Sequence, residues 1–184
     1  SSDQGYAWGH HGYNLKIAPY DANLLAPLIF VKPNEFPRNK ICAIPVNGVD
    51  IISTFHSMCN INPGNRLDGR DISELISNPE TKLWKETPMI QIYTGGIYGN
   101  KAIKIELNKA HKTGDWSKFI VHKKTGTRAW MMMQTGKYKY IRYIYKDYLE
   151  ELYDLESDPE ELVNLAVKFD YKTLLREYRS QLLT

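Results

Sequence analysis

Two hydrophobic rhythms divide this chain, and they change near Trp84. In the first part, Ile17 to Ala26 reads as a short helix around Pro19, ended by Pro27. The apolar run Leu28-Ile29-Phe30-Val31 then reads as a buried strand. Lys32 to Lys40, with Pro33 and Pro37, is a polar loop, and Ile41 to Val46 forms a second short apolar run. Beyond it Val49, Ile52, Phe55 or His56, and Cys59 share one helical face, so the spacing predicts a helix with Asn47 or Asp50 near its start. His56 on that apolar face is expected to be a satisfied core residue. Asn62-Pro63-Gly64-Asn65 is a turn, Leu67 to Asp71 continues it, and Ile72 to Ile76 is a short helix. Strand, helix, strand, helix is the rhythm of an α/β layer.

After Trp84 the pattern predicts short strands over Met89–Tyr93, Ala102–Leu107, Phe119–His122, Arg128–Met133 and Tyr138–Tyr145, with Gly136-Lys137 as a hairpin turn. Glu151 to Asp154 adds a further short strand, and Asp158-Pro159-Glu160-Glu161 reads as a helix start. The last helix, from about Tyr171 to Leu183, carries Leu174, Leu175, Tyr178 and Leu182 on one side, suited to covering a sheet face. The expected architecture is an α/β region over residues 1–83, followed by an antiparallel sheet with a terminal helix over 84–184.

Composition narrows this picture only slightly. The chain has 184 residues, 42% of them hydrophobic and 24% charged, which is ordinary for a soluble globular protein with one sizeable core. A formal charge of +3, scattered along the chain, argues against nucleic acid or a membrane surface as the main partner. No apolar run approaches the ~18 residues needed to span a bilayer. Cys42 and Cys59 fit no metal-binding spacing and allow at most one disulfide. There is no initiator methionine and no signal peptide, so upstream sequence is expected to be missing and localisation is open.

The densest chemistry lies at the N-terminus, in Ser2-Asp3-Gln4-Gly5-Tyr6-Ala7-Trp8-Gly9-His10-His11-Gly12-Tyr13-Asn14-Leu15-Lys16. A carboxylate, an amide, two imidazoles and an ammonium are separated by three glycines, which can take positive φ and let the loop fold back. Spacing alone does not bring Lys16 to Asp3, because the intervening chain can extend to roughly 43 Å.

Three blocks of residues resemble one family. Ser2-Asp3-Gln4-Gly5, Gly9-His10-His11-Gly12 and Lys16 are similar to the S-D-[HNQ]-G, G-E-H-G and K segments of type I sulfatases, members of the alkaline-phosphatase superfamily. Pro27-Leu28-Ile29-Phe30 and Leu67-Asp68-Gly69-Arg70 resemble the P-L-I and L-D-G-R segments. Tyr138 to Ile141, Glu151-Leu152-Tyr153-Asp154-Leu155, Asp158-Pro159 and Asn164-Leu165-Ala166 are similar to the family's K-Y-I and E-L-Y-D-L-x-x-D-P-x-E-x-x-N-L-A ending. The C/S-x-P-x-R motif that yields the formylglycine nucleophile is absent, and Cys42-Ala43-Ile44-Pro45-Val46 does not match it. The resemblance therefore implies the C-terminal third or so of a sulfatase, with an alkaline-phosphatase-like α/β fold.

The resemblance also implies roles. Asp3 and Gln4 correspond to ligands of one divalent metal, usually calcium, and hard cations do prefer oxygen donors. Gln4 keeps the amide oxygen of the family's commoner Asn but adds a methylene. Lys16 corresponds to the lysine that binds sulfate and stabilises charge on the leaving oxygen, and His11 to a histidine that lines the pocket or positions the substrate, although a histidine that only hydrogen-bonds its own loop fits the residues equally well. His10 stands where the family has glutamate. The implied substrate is a sulfated small molecule or glycan, hydrolysed through a formylglycine nucleophile in the missing N-terminal half, and the isolated chain is expected to be inactive. Periplasmic, extracellular or lysosomal locations are typical of the family.

Two other readings stand beside this one. A phosphodiester or phosphonate monoester hydrolase of the same superfamily shares the D-x-G and lysine features, and a non-catalytic binding module would need neither. Tyr20, Asp21 and Arg70 are weaker candidates for the substrate side, since capping and loop salt bridges explain them as well. The strand Lys137 to Lys146 alternates aromatic and basic residues, a pattern used for single-stranded nucleic acid, but a half-buried strand is the commoner outcome.

Overall fold

Asn47 and Asp50 close the N-terminus of an eleven-residue helix with reciprocal side-chain to backbone hydrogen bonds, a capping box. In the computed structural model, which describes residues 1–81, 88–93, 100–115, 129–144 and 149–183, this helix belongs to one of two compact units. Residues 1–3 group with 26–89, and residues 4–25 group with 90–184. The N-terminal loop, which the sequence division places in the first region, thus groups with the C-terminal unit.

The helices of the chain are α1 (Asp21–Leu24), α2 (Gly48–Met58), α3 (Ser73–Ser77), α4 (Asn100–Thr113) and α5 (Lys172–Leu183). In the first unit α2 turns a polar face inward. Asp50 and Thr54 are buried, whereas Val49, Ile52 and Phe55 are each at least half exposed. The polar burial is satisfied: Asp50 Oδ1 accepts from Arg70 N–H at 2.8 Å, and Thr54 Oγ1 accepts from Ile72 N–H at 3.1 Å. Ser53 donates to the Gly69 carbonyl at 2.8 Å. A Cβ at position 69 would run into the Val49 carbonyl, so only glycine lets this segment approach the helix. His56 differs from expectation, because its Nδ1 is buried without a hydrogen-bond partner among the described residues.

Neither Leu28–Val31 nor Ile41–Val46 is a strand; both are irregular. Leu28, Ile29 and Phe30 line a cavity of about 350 Å³ with Phe36, Ile72 and Leu75, although Ile29, like Val31, keeps most of its surface in solvent. Short apolar runs fit extended chain of any kind, and a strand also needs a hydrogen-bonded neighbour.

The second unit is built on a four-stranded sheet in the order β1-β2-β3-β4, with β1 at Met89–Tyr93, β2 at Trp130–Thr135, β3 at Tyr138–Tyr143 and β4 at Glu150–Asp154. β2 and β3 form the predicted hairpin, antiparallel with Thr135 opposite Tyr138, and Gly136 takes a φ of 52° in the turn. β4 pairs antiparallel with β3, placing Leu152 opposite Tyr140. One face of this sheet supplies Met133, Tyr140 and Leu152 to a core completed by Leu165 and by Leu175, Tyr178 and Leu182 of α5. Each such side chain contributes about 1.5–3 kcal/mol when fully buried, and the α5 stripe is the one the sequence marks. Tyr178 also donates to the Thr135 carbonyl at 3.1 Å.

Residues 102–107 belong to helix α4, not to a strand. The six residues nearly alternate, but the wider segment carries four Lys and two Ala together with Glu106 and Leu107, and helix propensity summed over 14 residues prevails. Asp158 to Glu161 form a turn in place of a helix start, with the Asp158 carboxylate accepting from the Leu162 and Val163 N–H groups. The expected strand at Phe119–His122, and the end residues Arg128 and Tyr145, lie outside the described residues. No helix among the described residues is long and apolar enough to cross a membrane.

Candidate functional site

The N-terminal loop does fold back on itself. Gln4 Nε2 donates to the Lys16 carbonyl at 3.1 Å, and Gly9 N–H bonds the Tyr13 carbonyl at 2.8 Å. Trp8, Gly9, His11 and Gly12 all take positive φ, which tightens the tip into a short helical turn over His10–Gly12. Gly5 serves differently: a Cβ there would meet the Ala22 and Leu25 carbonyl oxygens. Asn23, buried, closes the base of the loop by donating to the Leu15 carbonyl, while its own carbonyl accepts from Gly5 N–H.

His11 is held by two contacts. Its ring stacks on Tyr20 with centroids 3.8 Å apart and planes 2° from parallel, and its Nε2 lies 3.0 Å from the Glu160 carbonyl. His10 Nε2 sits 3.0 Å from the Glu160 carboxylate on the exposed side of the same turn. Beneath the stack, Tyr20 donates to Glu151 Oε2 at 3.1 Å, as does Tyr153, and the Tyr20 and Tyr143 hydroxyls are 3.3 Å apart. Burial raises the Glu151 pKa, more than the hydrogen bonds from Tyr20 and Tyr153 lower it. Burial likewise pushes the Tyr20, Tyr143 and Tyr153 hydroxyls far above the ordinary phenol range, with the Glu151 charge adding to it.

Next to this cluster lies a buried ion triad. Lys139 Nζ, from β3, is 2.5 Å from Asp21 Oδ1 and 2.6 Å from Glu161 Oε1, and the lysine side chain has no exposed surface. Glu161 Oε2 accepts from Asp21 N–H at 2.6 Å. Burial raises the Glu161 pKa and the Lys139 ammonium works against it. The loop, the sheet and the Asp158–Glu161 turn are thereby tied at one point.

Of the residues singled out in the sequence, the fold brings Gln4 and Lys16 together and places His11 against the C-terminal turn. Asp3 and Lys16 are exposed and Gln4 is half-buried. Tyr20 and Asp21 prove to be packing and ion-pair residues of the loop's foundation. Sequence reasoning missed Lys139, Glu151, Glu161 and Tyr153; the available signal was a lysine in the middle of an aromatic strand, since a buried ammonium requires carboxylate partners. Tyr140 and Tyr143 of that strand are buried, which removes them as stacking platforms. Cys42 and Cys59 are free thiols.

The donor chemistry at Asp3 and Gln4 suits a hard cation in kind but supplies few ligands. The Gln4 hydrogen bond to Lys16 assigns its nitrogen and so makes Oε1 the opposite end of the amide. Among the described residues no group of three or more His, Cys, Asp or Glu side chains is placed to hold a metal. Any cation bound here draws further donors from elsewhere.

Comparison with known proteins gives a consistent result. No family model matches the chain. A curated protein named Sulfatase from Formosa agariphila is 26% identical over 181 residues, covering 98% of this chain and 28% of its own length. Arylsulfatase K of Homo sapiens is 26% identical over 170 residues, 92% of this chain and 27% of its own length. The chain thus spans little more than a quarter of the length of these relatives, matching their C-terminal part. A structure solved in complex with its substrate D-glucosamine-2-N,6-O-disulfate superposes with a TM-score of 0.74 at 20% identity, over 98% of this chain and 32% of that one. A 2-O GAG sulfatase gives 0.69 at 22% identity, over 98% of this chain and 34% of that one. At these identities the structural likeness establishes the fold, alkaline-phosphatase-like.

Proposed function

We propose, from a chain homologous to the sulfatases over 98% of its length, that it contributes half of an active site that hydrolyses sulfate esters. Lys16 binds the sulfate group and stabilises charge on the leaving oxygen, His11 lines the substrate, and Asp3 and Gln4 give oxygen ligands to a divalent cation, calcium by family resemblance. When bound, that cation polarises sulfate oxygens beside a formylglycine nucleophile that lies outside these residues. Within the chain, the loop's closure is what orients the ammonium-bearing residue relative to the amide ligand.

What supports this reading is the hydrogen bond from the Gln4 side chain to the Lys16 backbone carbonyl, which brings together two residues of the motif that sequence spacing leaves apart. A sulfated sugar is the substrate class best supported, because the structure with the 0.74 TM-score was solved with a sulfated glucosamine. The test is turnover of aryl and sugar sulfates by the protein joined to its nucleophile-bearing part, with phosphate esters run in parallel. Lys16→Ala is expected to lower kcat/KM about 100- to 1000-fold with Tm unchanged. A loss under about threefold, or a preference for phosphate esters, would sink the assignment.

A further inference from the structure

The Asp158–Glu161 turn carries no role in the proposed chemistry, yet it meets the N-terminal loop at two places and α1 and β3 at a third. The Glu160 carbonyl faces His11 Nε2, the Glu160 carboxylate faces His10 Nε2, and the Glu161 carboxylate joins both Asp21 N–H and Lys139 Nζ. A carbonyl oxygen only accepts, so His11 Nε2 must carry a proton for that contact to be a hydrogen bond. In the neutral ring this leaves Nδ1 as the basic atom. Rotation of the ring is opposed by the Tyr20 stack, and Tyr20 is fixed in turn through its hydroxyl to Glu151. Glu161 itself has a φ of 57°, a left-handed conformation costly for glutamate and sustained here by its ion pair with Lys139 and its hydrogen bond from Asp21 N–H.

We propose that the Asp158–Glu161 turn is a positioning element for His11, with Glu161 anchoring the turn to Lys139 and Asp21 so that the Glu160 carbonyl locks the imidazole as its Nε2–H tautomer. The functional consequence rests on the sulfatase reading: His11 then offers one defined ring atom, Nδ1, to a ligand. The lock itself is independent of turnover. Glu161 and the Glu160 backbone are positioning groups that act through His11.

Histidine side-chain ¹⁵N–¹H correlation spectra of the protein test this. Neutral His11 is expected as a single species protonated at Nε2. An Nδ1–H species, or a tautomer mixture like that of a solvated histidine, overturns the proposal. Glu161→Ala is expected to convert His11 to a mixture while the Leu175 and Leu182 methyl signals stay dispersed; an unchanged His11 in that folded variant overturns the role of Glu161. Should Glu161→Ala fail to fold, Asp158→Ala carries the same readout, because it loosens the turn through the Leu162 and Val163 N–H groups without touching the ion triad. No arm reads turnover, so a protein inactive on sulfate esters leaves the tautomer result standing, and a failed lock leaves the sulfatase reading standing.

Discussion

Lys139 Nζ lies 2.6 Å from Glu161 Oε1, and neither side chain keeps more than 2% of its surface in solvent. With Asp21 on the other side, two carboxylates share one ammonium in a site with little water. Such clusters add little over a well-packed apolar substitute, but removing one partner strands the others. Lys139→Met is therefore expected to destabilise the fold by about 3–5 kcal/mol, read from urea denaturation. A loss below about 1 kcal/mol would mean that the triad is solvated in solution.

Glu151 gives a pH dependence of definite sign. Burial raises its pKa above the ordinary 4.5 despite the hydrogen bonds from Tyr20 and Tyr153. Between its unfolded and folded pKa values the native state holds a proton that the unfolded chain has released, so the contribution of Glu151 is full below about 4.5 and is lost as pH rises through its folded value. Stability measured at pH ~4.5 and ~7 should move in favour of Glu151→Gln, relative to wild type, as pH rises. A constant difference, or one moving toward wild type, contradicts the buried placement.

Glu150 behaves in the opposite sense. Burial would raise its pKa, but hydrogen bonds from Arg179 and Tyr140 hold the carboxyl below its ordinary 4.5. Its contribution is full above about 4.5 and is lost as pH falls through the folded value. Arg179 is 42% exposed, so solvent screening limits Arg179→Ala to a cost of about 1 kcal/mol at neutral pH. That cost should shrink as pH falls below about 4.5 through the folded value; a cost independent of pH down to acid unfolding would assign Arg179 to packing alone.

The glycines of the N-terminal loop separate two physical causes. Gly12 has open space around its missing Cβ but a φ of 77°, so Gly12→Ala should cost about 1–2 kcal/mol through backbone strain. Gly5 has no positive φ but would drive a Cβ into the Ala22 and Leu25 carbonyls. Gly5→Ala is expected to displace the loop from α1, read as loss of amide exchange protection at Gly5 and Asn23. Preserved protection at both would refute the close approach.

Much of the C-terminal unit was legible from pattern. The Leu174, Leu175, Tyr178 and Leu182 stripe, the Gly136-Lys137 turn and the strand around Leu152 appear where periodicity places them, because each depends on contacts near in sequence or on a single buried face. The same reasoning failed over residues 102–107, where a short alternating window lay inside a longer helix-forming one, and at Leu28–Val31, where no ladder forms. In α2 the sequence marks Val49, Ile52 and Phe55 as one face, and that face exists. Its burial is another matter: Asp50 and Thr54 turn inward because Arg70 and Ile72 present N–H groups to them from twenty and eighteen residues away.

For the candidate site, the sequence by itself determined the chemical inventory of the N-terminal loop and the glycines that let it bend. Motif order and spacing also carried the resemblance to sulfatases. Only the tertiary structure decided which groups meet. Gln4 reaches Lys16 through loop closure, and His11 rests on Tyr20 and on a carbonyl 149 residues distant. The buried ammonium of Lys139 finds its carboxylates from segments before and after the sheet. The physical reason is that hydrophobic periodicity encodes which face is buried, whereas ion pairs and ring stacks join groups whose separation along the chain carries no local signal.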